Sequence, residues 1–392
     1  MRLLFVTTVL PHQKQIGSEV ASQSIIQGLR GVGAEVDVLG YARANEGVVS
    51  VPGSTAVGAR YIETREAKLY PLLWLLASFV RGSPYSASKY YSKEYVEHVE
   101  RLLSEVAYNC VVIDHPQMGW LARHVPTGLA RVFVAHNIEH EMYAQLASAH
   151  GRTLGRWLYG REAMLIDRTE RALAASAAEI WTLSAHDAAY FRALAPHANV
   201  RELPVPSTSS PCSDRQVTKQ FDIGLIGSWA WEANREALSW FLAEVYPRLP
   251  GQVSVQVAGR GAEWLIGRYA RVKYVGVVPD AIAFMQAAKV VAIPTLSGGG
   301  IQIKTLDAIA SGSAVVATRC AVRGIDDPPR TVTVADAAGE FAQGVVDAIQ
   351  GSDHLVERSQ SAMAWAMARE RRFAREMFEV SVALAARRSV PT

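Results

Sequence analysis

The amino-acid sequence predicts an α/β protein built from two doubly wound, Rossmann-like domains. Short apolar runs rich in Val, Ile and Phe alternate with longer helical patterns, as expected for parallel strands covered by helices on both faces. This alternation stops once near the middle of the chain and then starts again. A length of 392 residues also exceeds what one hydrophobic core usually serves. A composition of 49% hydrophobic and 20% charged residues is typical of a folded chain with a large core.

The first half of the chain is expected to form one parallel sheet. Helical patterns at 18–31 and 95–108 separate its strands. The candidate strands are the apolar runs 3–8, 36–40, 110–114, 132–135 and 180–183. Residues 203–219 hold three prolines and six Ser or Thr without periodicity, which indicates the linker between the domains.

The second half repeats the same alternation. Its candidate strands are 223–227, 253–259, 272–275, 290–294 and 314–318. Its candidate helices are 234–249, 280–288 and 304–311. After residue 353 the pattern is helical nearly to the end of the chain. A second nucleotide-binding type of sheet, followed by a terminal helix, is therefore predicted.

Charge and cysteine usage place few constraints on function. A net charge of +3 is too small to indicate a nucleic-acid partner. The cysteines Cys110, Cys212 and Cys320 lack the spacing of a disulfide framework or a zinc site, which favours a reducing cytoplasm. The first apolar run follows a single basic residue and no cleavage site follows it, so we expect a buried strand instead of a signal peptide.

An apolar run at residues 69–80 allows two interpretations. It is too short to span a bilayer as a helix. Basic residues flank it, namely Arg65, Lys68, Arg81 and Lys89, and aromatic residues lie in and after it, which suits a segment lying on a membrane surface. Helices that lie on membranes are uncommon, so the sequence favours a core-packing helix with a solvated basic rim. Peripheral membrane contact through residues 65–91 is the alternative.

The segment from Pro294 to Gly312 carries the strongest chemical signal. An apolar strand ends in three glycines at 298–300, and a helix is expected to begin near Ile301. A helix N-terminus presents free N–H groups and a positive dipole to phosphate, and Lys304 adds a full charge one turn in. Asp307 lies one turn further on the same face and can accept hydrogen bonds from ribose hydroxyls. Without Lys304 and Asp307, a plain strand-to-helix turn would be the better interpretation.

These residues resemble those of the retaining glycosyltransferases of GT-B fold, family 4 (glycosyltransferase group 1), in particular the bacterial branch that works on exopolysaccharides. Residues 300–312 read GIQIKTLDAIASG and residues 314–318 read AVVAT, close to a motif of that branch. Further segments that look like family motifs are Gly227-Ser228, Asn234, Trp240-Phe241, Tyr246-Pro247, 257–259 and 275–280. The resemblance covers most of residues 222–326.

The first half carries weaker matches to the same family. Residues 8–20 resemble the family's first strand, loop and helix, and 113–117 and 134–139 resemble two later loops at strand ends. The second of these loops is where the family keeps a histidine against the transferred sugar, which is His136 here. The alternative is that His136 and Asn137 only begin the next helix, with Asn137 as its N-cap residue.

The resemblance implies two domains facing a cleft and a last helix that returns to the first domain. The implied boundaries are 1–203 for the acceptor-side domain, 204–370 for the nucleotide-sugar domain and 371–392 for the returning helix. The implied catalytic residues are His136, Lys304 and Asp307. The implied substrate-binding residues are Gly17, His115, Asn137, Gly227, Ser228, Arg260, Val277, Gly298, Gly299, Gly300, Ile301 and Gln302.

The implied reaction transfers a sugar from a nucleoside diphosphate sugar to a saccharide, lipid-linked or small-molecule acceptor with retention of configuration. No cofactor, metal or nucleic-acid partner is expected, and the protein would work in the cytoplasm or at the inner face of the membrane. Two departures from the family pattern stand out: Gly299 occupies the position of a usual glutamate, which the close branch also lacks, and Asp307 replaces a second glutamate. A non-catalytic GT-B partner subunit and a nucleotide-sugar 2-epimerase remain as alternatives.

Overall fold

The computed structural model describes residues 1–13, 16–44, 51–61, 67, 69–149, 151, 153–208, 218–351 and 355–386. The chain divides into two compact units. The first comprises Met1–Val205 together with Phe373–Thr392, and the second comprises Pro206–Arg372. Each unit has its own parallel sheet, in agreement with the predicted fold class.

The first unit contains a seven-stranded parallel sheet of order β3-β2-β1-β4-β5-β6-β7. Its strands are β1 (Arg2–Val9), β2 (Glu35–Arg43), β3 (Ser54–Arg60), β4 (Cys110–Asp114), β5 (Ala130–Ala135), β6 (Glu179–Thr182) and β7 (Asn199–Glu202). Its helices are α1 (Gly17–Gly31), α2 (Tyr70–Arg81), α3 (Tyr85–Ser88), α4 (Lys93–Glu105), α5 (Glu139–Ala149), α6 (Thr153–Ser176) and α7 (Ala185–Leu194). The central strand β4 is buried along its whole length, because helices cover both of its faces.

The second unit contains a six-stranded parallel sheet of order β10-β9-β8-β11-β12-β13. Its strands are β8 (Phe221–Ile226), β9 (Val255–Ala258), β10 (Val272–Gly276), β11 (Ala288–Ile293), β12 (Ala314–Ala317) and β13 (Val332–Val334). Its helices are α8 (Glu232–Trp240), α9 (Ala281–Ala287), α10 (Ile303–Ala310) and α11 (Ala338–Gln350). In both sheets the strand order reverses beside the first strand, at β1–β4 and at β8–β11, where α/β proteins gather ligands.

The last helix, α12 (Leu355–Ala386), spans the boundary between the units. Four apolar side chains of its final part, Phe373, Met377, Val380 and Leu384, are buried. Gly28 of α1 allows close approach there, since a Cβ at this position would lie 2.7 Å from the Met377 side chain. The final part of α12 therefore completes the core of the first unit.

The structure differs from the sequence-based elements in a few places. The ten predicted strands are present, whereas the edge strands β3, β7 and β13 were not predicted. The predicted helix 234–249 is α-helical only to Trp240 and continues as a π turn and a 3-10 turn. Helix α10 begins at Ile303, two residues after the expected start near Ile301. Of the predicted linker, residues 209–217, including Cys212, lie outside the described part of the chain.

Helix α2 is not the core-packing helix that the sequence favours. Only Trp74 and Ser78 of its side chains are buried, while Leu72, Leu73 and Val80 are exposed. The flanking residues Arg65 and Lys68 lie outside the described residues. Within the described chain, no helix combines the length and the apolar character needed to cross a bilayer.

Candidate functional site

A buried carboxylate, Asp114 at the end of β4, lies where the strand order of the first sheet reverses and binds several side chains there. Its Oδ2 accepts hydrogen bonds from the Thr7 and Ser22 hydroxyls at 2.7 and 2.8 Å. Its Oδ1 lies 2.7 Å from His136 Nε2. Burial by itself would raise the pKa of Asp114, but His115, His136 and these hydrogen bonds hold it well below its usual value. Asp114 is therefore an ionised, acceptor-only group.

This carboxylate sets the orientation and the tautomer of His136, the residue directly after β5. Because Asp114 can only accept, the proton of a neutral His136 ring lies on Nε2. Nδ1 then presents a lone pair. It is buried and has no hydrogen-bond partner within the described part of the protein. The predicted catalytic histidine thus offers a directed acceptor held by a fixed carboxylate.

His115 lies against His136. The two rings stack with their centroids 3.9 Å apart and their planes at 16°. The His115 backbone has φ 72°, a conformation that residues with a side chain seldom adopt and that costs of the order of 1–3 kcal/mol. Burial and the neighbouring His136 lower the pKa of His115 to about 4, so its ring is neutral at pH 7. The structure brings the two predicted histidines together.

Asp114, His115 and His136 place ligand-type atoms within 4.8 Å of one another, which raises the question of a metal. The lone pairs of an imidazole lie in the ring plane, and a metal would need to lie about 2.0–2.1 Å from each nitrogen in that plane. Two nearly parallel rings stacked at 3.9 Å do not direct their lone pairs to one such point. Both oxygens of Asp114 already have partners. The cluster therefore fits a hydrogen-bond network better than a metal centre.

A second set of buried polar groups adjoins His136, and of its members only Asn137 was predicted as a site residue from the sequence. Burial, followed by the charge of Glu170, raises the pKa of Glu139 to about 7, and a hydrogen bond from Gln117 partly opposes this. Oδ1 of the predicted residue Asn137 and Oε1 of Gln117 are buried without a partner in the described chain. A carboxyl group that titrates near pH 7 could act in proton transfer. No sequence signal distinguished Glu139, since its environment comes from α6.

The predicted Gly17 opens α1 after the first strand and is exposed. Two residues later, Glu19 forms a buried ion pair with Arg43 at the end of β2. This pair joins the start of α1 to the sheet.

In the second unit, the loops that follow β8, β9 and β10 pack tightly against one another. Gly227 N donates to Ala258 O at 3.2 Å, and Gly259 N donates to Gly276 O at 2.7 Å. Gly259 has φ 111°, and a Cβ there would lie 1.8 Å from Gly227 O. Only glycine fits at this position.

Lys304 lies in the first turn of α10 and connects three of the predicted segments. Its Nζ donates to Asn234 Oδ1 at 3.0 Å, and Asn234 Nδ2 donates to Ser228 O at 2.9 Å. Burial lowers the pKa of Lys304 to about 8, an effect that Cys320 partly offsets. Within the described residues, no carboxylate forms an ion pair with this ammonium group. A cation placed in this way suits an anionic ligand.

The glycine turn is held by residues that were not predicted. Gly298 O accepts a hydrogen bond from Arg323 Nη1 at 3.1 Å and lies 3.8 Å from Cys320 Sγ. Gly298 itself has φ 143°. Arg323 belongs to the segment after β12, which is distant in sequence, so only the fold brings it to the turn.

The third predicted catalytic residue, Asp307, has partners that the sequence did not suggest. Its Oδ1 accepts hydrogen bonds from Thr208 N at 2.7 Å and Thr208 Oγ1 at 2.9 Å. Its side chain is buried. In this structure Asp307 thus binds the linker segment, and its contact with a ribose stays a prediction.

The remaining predicted residues lie in the loops at the carboxyl ends of the strands. Arg260 follows β9 and is exposed, and Val277 follows β10 and is also exposed. Gly299, Gly300 and Ile301 form the turn before α10, and Gln302 is its N-cap residue without a side-chain capping hydrogen bond. All of them therefore occupy the ligand-gathering edge of the second sheet.

Comparison with known proteins agrees with this geometry. Residues 220–351 match the family model described as glycosyl transferases group 1. A search of curated proteins finds no significant match.

The fold is similar to that of several solved enzymes. Sucrose-phosphate synthase from Thermosynechococcus elongatus superposes with a TM-score of 0.72 and 16% identity, covering 98% of this chain and 99% of that one. WaaG, a glycosyltransferase involved in lipopolysaccharide biosynthesis, has a TM-score of 0.59 and 17% identity over 93% and 95% of the two chains. Anabaena Alr3699/HepE, solved with UDP and glucose, has a TM-score of 0.63 and 15% identity over 98% and 100%.

The chain therefore has the GT-B fold, and the family match lies on the unit that carries Lys304 and the glycine turn. The likeness to the group 1 glycosyl transferases is shown for residues 220–351, and the solved structures show the fold.

Proposed function

We propose that this protein is a retaining, metal-independent glycosyltransferase of the family 4 type that binds a nucleoside diphosphate sugar on its second unit. The observation that carries the proposal is Lys304. It is a partly buried ammonium group in the first turn of a helix, beside a glycine turn, and it has an amide oxygen but no described carboxylate as its partner. A diphosphate would neutralise this charge and accept hydrogen bonds from the helix N-terminus.

The same groups would stabilise the transition state. Negative charge develops on the diphosphate as the bond from the sugar C1 to the phosphate oxygen breaks. Lys304 and the N–H groups of α10 would stabilise that charge, a role for which other enzymes often use a metal ion. We infer metal independence from this arrangement.

Retention would require the acceptor hydroxyl to attack from the face that the diphosphate leaves. A new bond then forms between the acceptor oxygen and C1 while the bond from C1 to the phosphate oxygen breaks. The hydroxyl proton passes to the departing phosphate oxygen, which is the nearest base on that face. His136 would accept a hydrogen bond from a sugar hydroxyl through Nδ1, with Asp114 as its positioning residue.

We further propose a saccharide or lipid-linked acceptor for polysaccharide biosynthesis and a cytoplasmic location at the inner face of a membrane. The free cysteines Cys110 and Cys320 suit a reducing compartment.

One observation favours the alternative of a non-catalytic partner subunit. Asp307, the predicted ribose ligand, already accepts two hydrogen bonds from Thr208. A 2-epimerase would use the same fold, and product analysis distinguishes it from a transferase.

The first experiment is a thermal-shift and hydrolysis panel of UDP-, GDP-, TDP- and ADP-sugars, each with and without EDTA. We expect one donor to raise the melting temperature of the wild type independently of EDTA. Lys304→Ala should lose this shift, whereas the matched control Lys273→Ala, an exposed lysine on β10, should keep it.

Each other outcome has a definite meaning. A shift that EDTA abolishes contradicts metal independence. No shift with any nucleotide overturns the donor site and favours the non-catalytic subunit. Release of a 2-epimerised sugar identifies an epimerase, and inversion of the anomeric configuration in the product, read by NMR, contradicts retention.

A further inference from the structure

An apolar surface of the first unit is exposed on two neighbouring helices. On α2, Leu72, Leu73, Leu76 and Val80 are exposed by 56–78% and recur at helical spacing, so they share one face. On α6, Leu154 and Trp157 are exposed by 68% and 54%. We call these six residues the apolar face. Contiguous exposed apolar surface of this kind marks an interaction site.

The apolar face is held in place by specific contacts. Phe79 of α2 stacks on Trp157 of α6 with ring centroids 5.9 Å apart and planes at 11°. Arg161 of α6 lies over the Phe79 ring at 4.2 Å, and its guanidinium donates to Ser78 Oγ and Ser78 O. Because these contacts fix α2 on α6, its apolar side chains remain directed to solvent.

The segments that carry the apolar face contain basic but no acidic residues. Residues 69–89 contain no acidic residue, and neither do residues 153–161. The first acid of α6, Glu162, is buried and accepts hydrogen bonds from Tyr85 N and Ser86 N of α3. An apolar helical face with basic residues in its own segment is typical of helices that lie on anionic bilayers.

A pocket of about 570 Å³ continues from the end of α2. Three arginines line it: Arg81 from α2, Arg123 after β4, and Arg168 from α6. Arg81 lies over the Tyr91 ring and Arg123 donates to His124. Within the described chain, none of the three forms an ion pair and no acid lines the pocket. Its volume is that of a small-ligand site, and its charge suits a phosphate.

We propose that the apolar face and the three-arginine pocket form one binding site for an anionic phospholipid of a bilayer. The pocket takes the phosphate headgroup, and the apolar face enters the boundary between headgroups and acyl chains. The exposed Trp157 is a side chain of the type that is enriched at membrane interfaces. The inference does not depend on the proposed sugar transfer, since it concerns binding alone.

The test is co-sedimentation of the full chain with phosphatidylcholine vesicles that either contain or lack phosphatidylglycerol. We expect binding only when phosphatidylglycerol is present. Arg81→Gln/Arg123→Gln/Arg168→Gln should lower the partition coefficient on the order of 100-fold, because each arginine near an anionic surface contributes about fivefold. Leu72→Ser/Leu76→Ser/Val80→Ser should remove binding without lowering the melting temperature, because these side chains are exposed.

Matched controls separate the site from general charge and hydrophobicity. Arg101→Gln/Arg371→Gln/Arg375→Gln changes the net charge equally at exposed positions elsewhere and should leave binding within about threefold. Phe378→Ser/Val382→Ser removes exposed apolar residues of α12 and should have no effect. Equal losses in the control variants would overturn the proposed site.

Three other results would also overturn the proposal. The first is equal binding to vesicles with and without phosphatidylglycerol. The second is calorimetric binding of inorganic phosphate by a wild type that does not bind vesicles, which would make the pocket a site for free phosphate. The third is a wild type that does not bind vesicles and forms a dimer in analytical ultracentrifugation. If Leu72→Ser/Leu76→Ser/Val80→Ser dissociated that dimer, the apolar face would be the contact with a second copy of the chain.

Discussion

Two ionisable side chains, the buried Asp114 and the partly buried Lys304, give the two units different chemistry. Asp114 has hydrogen-bond partners for both of its oxygens, so its charge is stabilised and is used to orient His136. Lys304 has a single amide partner, so its charge is not matched within the described chain. The first arrangement positions a side chain, and the second suits capture of an anion.

Asp114→Asn tests the positioning role. An asparagine can donate Nδ2–H to His136 Nε2, which would move the ring proton to Nδ1 and remove the acceptor. We expect kcat to fall about 100-fold or more while KM for the donor changes little. Steady-state kinetics with the donor that the thermal-shift panel identifies checks this.

Ser22→Ala is the matched control, because it removes one hydrogen bond to Asp114 and keeps the charge. It should lower kcat by less than tenfold, because Asp114 keeps its charge and its bonds to Thr7 and His136. The lost hydrogen bond to the charged carboxylate, about 1.5–3 kcal/mol, should appear mainly as a loss of stability. A folded Asp114→Asn variant with normal kcat would contradict the role of Asp114.

The pH dependence of donor binding tests Lys304. Its pKa in the free protein is lowered to about 8 by burial. Binding of a diphosphate requires the ammonium form, so affinity should decrease about tenfold per pH unit above pH 8. Titration calorimetry with the nucleoside diphosphate from pH 6 to 10 measures this. Lys304→Arg stays charged over this range, and any affinity it retains should be independent of pH.

The stability of the free protein should change in the opposite sense. The folded pKa of Lys304 lies below its unfolded value, so the charged form destabilises the folded state, and this cost disappears as pH rises from about 8 towards 10.5. Lys304→Met should therefore raise the free energy of unfolding at pH 7 by about 1–3 kcal/mol. A loss of stability at pH 7, measured by denaturant unfolding, would contradict an unmatched charge.

At the scale of elements, both sheets place their polar residues at the carboxyl ends of central strands. The loops after β8 and β9 come into contact only because Gly259 lacks a side chain. Gly259→Ala should destabilise the second unit by about 2 kcal/mol or more and weaken donor binding, because of its positive φ and the clash with Gly227 O. Thermal unfolding and nucleotide titration test both effects.

Gly251→Ala is the control, since a Cβ at Gly251 meets no atom within 4 Å. It should leave stability and affinity within experimental error. If Gly259→Ala also left stability and affinity unchanged, the close packing of these two loops would not be needed for folding or for donor binding.

At the scale of the whole molecule, the first unit depends on the end of the chain. Phe373, Met377, Val380 and Leu384 bury their side chains there, and Arg201 of β7 pairs with Glu376 and Glu379. Four such side chains contribute roughly 6–12 kcal/mol, which is comparable to the entire stability of a domain. A chain ending at Arg372 should lose the folded first unit and keep the second.

Calorimetry and limited proteolysis check this prediction. The truncated chain should show one unfolding transition, which a nucleotide shifts upward, and a protease-sensitive first half. A chain ending at residue 386 should behave as the full chain does. Two unchanged transitions after truncation at Arg372 would show that α12 is dispensable for the first unit.

The sequence by itself determined the fold class, ten of the thirteen strands that the structure describes and the positions of the candidate residues at strand ends. Buried parallel strands are continuous apolar runs, which a sequence displays directly, and a glycine turn before a helix is a local pattern. The strands β3, β7 and β13 lie at sheet edges, where partly exposed residues give only a weak apolar signal.

Only the tertiary structure decided which groups meet. Asp114 touches Thr7 and His136 because β1, β4 and β5 are neighbours, and Arg323 reaches Gly298 because β12 lies beside β11. The exposure of α2 is likewise a tertiary property, since an apolar run looks the same whether it packs in a core or faces outward. Contacts distant in sequence depend on how the sheets order their strands, and no local pattern encodes that order.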